Sequence, residues 1–290
     1  MMKFFLRGLA SVALSLIYLQ NTQAVDLDAG DSDYVPSGTN LALLYYQHAT
    51  RDELYSGDTK VAGNNKLDSN VGIARYVRYM DLGSIQIAPQ VLIPFGSTEA
   101  KGDISVLGES SGIGDIILAN AFFLHTDNAT KTRLGLSTYF YLPTGEYDKN
   151  QVVNLGENRY KFTLQGAYST EIAPKLRWDA ASDITFYGKN DEYIGNTKLE
   201  QDMGYQLQTN LRYNLKDNLD LRAGLSYADL GDTEVNNIKA DGITQSKFWV
   251  GTSYSPTPTT SLIAIYGQDF KVENGFKEDN RFSFRLTKVF

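Results

Sequence analysis

The sequence has no cysteine. Disulfides, thiolate nucleophiles and cysteine-ligated metals are therefore excluded. It has two histidines, His48 and His125, and two tryptophans. Beyond the N-terminus no segment approaches the roughly 20 apolar residues of a spanning helix. Helical periodicity is scarce throughout. Positive charge is in deficit: the formal net charge is −7, which makes nucleic acid a poor partner.

What is present is aromatic and strand-forming, with nineteen Tyr and fourteen Phe. The first residues, "MMKFFLRGLASVALSLIYLQNTQAVDL", carry a basic start (Lys3, Arg7), an apolar core (Gly8 to Leu19) and small residues (Thr22, Ala24) before Val25. This predicts an export signal over residues 1–24. A short periplasmic N-terminal segment is expected at 25–38 and an outer-membrane β-barrel at 39–290. Loss of Lys3 and Arg7 takes the net charge from −7 to −9.

Period-two alternation places twelve strands, near 40–49, 69–79, 84–94, 114–125, 132–142, 158–169, 175–187, 202–213, 219–228, 245–254, 261–270 and 280–290. Long polar connections alternate with tight turns such as "MDLG", "TDNATK" and "TEIAP". Short turns at one rim and long loops at the other characterise an outer-membrane barrel. The expectation is an all-β chain forming a single 12-stranded antiparallel up-and-down transmembrane β-barrel, contacting outer-membrane lipid in a Gram-negative bacterium. In "YQLQTNLRY", Tyr205, Leu207, Leu211 and Tyr213 oppose Gln206, Gln208, Asn210 and Arg212. One face is apolar and the other polar, which fits a lipid-facing exterior around a wet lumen. Tyr45, Tyr141, Trp178, Tyr213 and Tyr254 are expected in aromatic girdles at the strand ends. Arg75 and Arg78 have opposite parity, and "SLIAIYG" is apolar on both faces, so the registers near 69–79 and 261–270 stay open. The last strand, "RFSFRLTKVF", ends on Phe290, which resembles the signal read by outer-membrane assembly machinery.

Chemistry-bearing motifs are weak. "GESSG" at 108–112 matches a nucleophile-elbow pattern, but that chemistry needs a strand–turn–helix and a histidine. His48 and His125 fall on opposite rims, so they share neither a metal nor a proton relay. No catalytic residue, metal ligand or cofactor is implied.

The inward parity carries the functional signal. Inward basic residues are Arg133, Arg159, Lys161, Arg177, Arg212, Arg222, Lys247, Arg281 and Arg285; inward acidic ones are Asp115, Asp179, Asp183, Asp202 and Asp220. Nine against five suggests a lumen favouring small anions, or equally a ladder of ion pairs bracing the wall. Tyr139 and Trp249 also point inward and could stack an aromatic solute. Only about fourteen residues precede the first strand, enough to line the inner mouth but little to plug it.

The stretches "YVPSGTNLALLYYQHATRDELYSG", "IAPQVLIPFG", "GIGDIILANAFFL" and "YLPTGEYD…NLGENRYKFTLQGAY" resemble the MetA-pathway phenol-degradation family of outer-membrane transporters. The most specific pieces are Tyr34–Gly38 and Leu142–Gly145. The resemblance spans roughly residues 34–290. It implies a barrel and transport of small organic molecules, and it brings no binding residues with it. A passive uptake channel for small organic solutes such as aromatic acids is the expected function. The alternatives are a structural barrel whose acidic loops act as an adhesin, or an outer-membrane hydrolase.

Overall fold

The computed structural model describes residues 27–290, so the export signal expected at 1–24 lies outside the described residues. Twelve long strands form one antiparallel sheet that closes on itself. They are β1 (Asn40–Arg51), β2 (Asn65–Arg78), β3 (Ile85–Gly102), β4 (Ile117–Asp127), β5 (Thr132–Tyr141), β6 (Lys161–Ala173), β7 (Leu176–Tyr187), β8 (Gly204–Lys216), β9 (Leu219–Asp229), β10 (Thr244–Thr257), β11 (Thr260–Glu273) and β12 (Asn280–Val289). Each pairs with its chain neighbours, and β1 pairs with β12 from Leu41↔Val289 to Thr50↔Asn280. Closure leaves no free sheet edge. At the short-turn rim, the amides of Asn40 and Phe290 each donate to the other's carbonyl at 3.0 Å.

The alternation read from the sequence sorts the two faces. Leu207, Leu211, Leu221, Leu225, Phe282, Phe284 and Leu286 are exposed on the outside, while Gln206, Gln208, Asn210 and Arg222 are buried on the inside. Both open registers are resolved. Arg75 points inward, bonding Gln90 and Tyr45, and Arg78 is exposed at the end of β2. On β11, Ile263 is buried and Leu262 exposed.

Strand β3 runs to Gly102, well past its expected end. Its outer part pairs with β2 on one side and with the short strand Glu109–Ile113 on the other. The "GESSG" stretch is therefore sheet and not a turn leading into a helix. Among the described residues the one short 3₁₀ helix is Ser105–Leu107, and no helix is long and apolar enough to cross a membrane.

The long loops fold over their rim. Leu54, Leu67, Ala100, Ile104, Val153 and Phe276 form a small buried apolar core there. Four loop strands (Asn190–Tyr193, Thr197–Gln201, Thr233–Val235, Ile238–Ala240) make a separate sheet beside it. The loops are thus a packed outer cap and not a polar fringe.

Candidate functional site

The lumen is the candidate site. Thirteen inward residues were expected from parity: twelve lie on the strands and face inward, and Arg159 lies buried in the β5–β6 connection two residues ahead of β6. At the outer end stand Arg159, Lys161, Lys247 and Arg281, and at the inner end Arg133, Arg177, Arg212 and Arg222. Tyr139, Asp179, Asp183, Trp249 and Arg285 lie between. All except Arg285 are buried as whole residues, and its side chain is only 11% exposed.

The bare excess of positive charge is not what the structure shows. Carboxylates that parity could not see enter from the loops and the N-terminal segment. Glu278, in the β11–β12 connection, meets Arg51 at 2.6 Å, Lys247 at 3.1 Å and Arg281 at 3.8 Å. Glu157, in the β5–β6 connection, accepts from Arg159 Nε at 3.0 Å and Nη2 at 2.8 Å, and from Lys161. Burial alone would raise both carboxyls. The surrounding cations prevail, holding Glu157 at about 2 and Glu278 well below the ordinary carboxylate range. Asp202, expected inside, is exposed in the β7–β8 connection. Asp220 pairs with Arg222 at 2.8 Å.

The N-terminal segment enters much farther than its length suggested. From Thr39 at the inner rim it climbs inside the barrel, so that Leu27 lies against β8. Its amide donates to Gln208 Oε1 at 3.0 Å, and its carbonyl accepts from Asn210 at 3.3 Å. Val35 packs on the buried cluster of Leu43, Val77, Tyr79 and Ala88. Three aspartates grip the wall. Arg285 Nη1 donates to Asp28 at 2.8 Å and to Asp31 at 2.6 Å. Arg212 donates to both oxygens of Asp33, at 2.6 and 2.8 Å, and Arg177 lies 2.9 Å from the same carboxylate. Burial works against ionisation of Asp31, and Arg285 and Arg75 overcome it and lower its pKa. The segment turns tightly at Gly30, where φ is +95° and a Cβ would sit 2.5 Å from Arg212 Nη1. Glycine alone fits that turn comfortably. The segment was expected to line the inner mouth and no more; instead residues 27–39 reach into the lumen as far as Gln208 and Asn210.

Above this segment lies a cavity of about 240 Å³. Ile73, Leu92, Ile117, Ile263 and Ile265 supply apolar walls; Arg75, Lys161, Arg281 and Arg285 supply positive charge, and Asp28, Asp115 and Glu157 supply negative charge. Trp249 lines it, lying across Gly224 to donate to Asn210 at 2.9 Å. A Cβ at Gly224 would sit 2.4 Å from the indole, so the glycine makes the crossing possible. Tyr139 is instead packed with Leu92, Ile117 and Tyr141 and bonded to Gln165. Two expected girdle residues also belong to the lumen. Tyr141 lines the cavity with Lys161 over its ring at 4.4 Å, and Tyr45 accepts from Arg75 at 2.8 Å. Trp178, Tyr213 and Tyr254 remain exposed outside.

Several inward polar atoms on β4, β7 and β8 carry no hydrogen bond from protein: Asn120 Oδ1, both carboxylate oxygens of Asp179 and Gln208 Nε2. Buried polar atoms of this kind call for water. No group of metal-ligating residues occurs among the described residues. His48 bonds Asn70 near the outer rim, and His125 lies at a bulge of β4 toward the inner rim.

A family model described as "Putative MetA-pathway of phenol degradation" matches residues 50–286. Among solved structures, the COG4313 outer membrane channel from Pseudomonas putida F1 is 34% identical, with a TM-score of 0.88, covering 91% of this chain and 100% of that one. The β-domain of the Bordetella autotransporter BrkA superposes with a TM-score of 0.53 at 10% identity, covering 88% of this chain and 100% of that one. That second likeness concerns the fold alone. Among curated proteins none matches the sequence.

Proposed function

The chain belongs to the family described as "Putative MetA-pathway of phenol degradation", and from that premise we propose that this outer-membrane barrel is a passive uptake channel for small amphipathic organic solutes. The solute class is an apolar body carrying a single negative charge, as in an aromatic acid. The carrying observation is the cavity above the N-terminal segment. Its walls are branched aliphatic side chains with Tyr141 and Trp249, and its charged groups are four cations against three carboxylates. An apolar body loses water against the walls, and its carboxylate meets arginine, which binds carboxylates in two-pronged fashion. The solved channel from Pseudomonas putida F1, alike over its whole length, supports the transport half of this reading.

Uptake into liposomes tests it. Benzoate should enter protein-bearing vesicles faster than benzyl alcohol of similar shape, and much faster than glucose. Equal rates for benzoate and glucose would reduce the protein to a general pore. A second reading, a barrel acting only through its surface loops, is favoured by the buried apolar core of the outer cap. It predicts no uptake of any of the three solutes.

A further inference from the structure

Arg177 of β7 and Arg212 of β8 are register partners, so two like charges face each other across one ladder step. Such a pair destabilises a sheet unless an anion joins it. Among the described residues no carboxylate of the barrel wall does so. The anion comes from the inserted segment: Asp33 takes two hydrogen bonds from Arg212 and lies 2.9 Å from Arg177. Arg177 also donates to Ser169 and to the Lys131 carbonyl, which fixes its guanidinium in place whether or not Asp33 is there. Asp33 is not sealed in. Its side chain is 37% exposed, and the pair opens on an inner vestibule of about 640 Å³ also lined by Lys131, Lys175 and Lys216 together with Asp217 and Asp220.

Two cations that no wall carboxylate meets at ion-pair distance, and one tethered carboxylate that water can reach, make an exchangeable anion seat. We propose that Arg177 and Arg212 form a carboxylate-binding site whose resting occupant is Asp33, and that a carboxylate solute exchanges with Asp33 on its way to the inner mouth. This rests on the channel reading above. Asp179 completes the seat. It is fully buried two residues from Arg177 on the same face, and no cation lies within ion-pair distance of it among the described residues. Its charge tempers the pull of the two arginines. Conduction requires such moderation, since a solute must leave as well as enter.

The test is calorimetric titration of benzoate into the purified full chain at neutral pH. A tethered competitor acts at an effective concentration on the order of millimolar, so Asp33→Asn should bind benzoate about tenfold more tightly than the native protein. Adding Arg212→Gln should abolish that gain. Benzyl alcohol, which lacks the charge, should bind the native and Asp33→Asn proteins alike. Unchanged benzoate affinity in Asp33→Asn overturns the site, as does an equal gain for the alcohol, which would mean freed space and not exchange. Asp33 lies outside the strands, and an unchanged far-ultraviolet circular dichroism spectrum verifies that the barrel is intact. Liposome uptake separates the two readings. Uptake without the affinity gain removes the site and leaves the channel; the gain without uptake removes the channel and leaves the site.

Discussion

At the outer end of the lumen Glu278 meets three cations with 1% of its side chain exposed, while at the inner end Asp33 meets two with 37% exposed. Both ends are closed by carboxylates entering a basic lumen, and water decides how each closure behaves. Removing Glu278 leaves Arg51, Lys247 and Arg281 as buried charges with no solvent to take them up. Removing Asp33 lets water or another anion fill its place. The first arrangement is a structural member and the second is exchangeable, although the residue chemistry is the same.

The largest effect that can break this contrast is Glu278→Ala. Breaking a buried ion pair from one side costs on the order of 3–5 kcal/mol, so the thermal midpoint in detergent should fall sharply. A midpoint equal to that of Asp33→Asn would make the two ends alike and remove the distinction. Deleting residues 27–38 from the full chain should come next in scale, raising single-channel conductance severalfold while lowering the midpoint less than Glu278→Ala does. Unchanged conductance would mean that the inserted segment does not limit the path.

Acid sharpens the contrast at the outer end. Glu157 is held at about 2, against an ordinary value of 4.5. A carboxylate whose pKa is lowered by folding adds stability above its ordinary value and loses it as pH falls through the folded one. The midpoint should therefore change little from neutral pH to about 5, then decline between about 4.5 and about 2. Glu157→Gln should make that decline shallower, and an unaltered slope would count against the pairing. The smallest effect is expected at Lys198, which pairs with Glu200 on the surface, both side chains exposed. Lys198→Ala should leave both midpoint and conductance unchanged, since exposed pairs contribute little.

The sequence carried the barrel because its evidence is periodic. Alternation in "YQLQTNLRY" is enforced over every pair of residues by lipid on one side and water on the other. The same parity put Arg133, Arg177 and Trp249 inside. It could not find Glu157 or Glu278, because a loop that dips into the lumen has no period. Nor could it find the shared partner of Arg177 and Arg212, Asp33, which lies 144 and 179 residues earlier in the chain. Its only trace was the acidic spacing of "DLDAGDSD" ahead of β1. Tyr45 and Tyr141 were misplaced for another reason. Position near a strand end suggests a girdle; "LALLYYQ" is apolar on both faces, so parity gave no correction for Tyr45, whereas Tyr141 shares the inward parity of Tyr139 and its place was legible.

The loop core has a practical meaning for labelling the cell surface. Four of its members come from four different connections and Leu67 and Ala100 from the outer ends of β2 and β3, so no loop can be cut or lengthened at that core without loosening the others. Val106, by contrast, is 89% exposed on the short turn beside buried Ile104. A peptide epitope inserted at Val106 should be displayed to antibody on intact cells, because exposed loop tips tolerate insertion. The same epitope at Val153, which is 0% exposed, should disperse the cap and take its neighbours' epitopes with it.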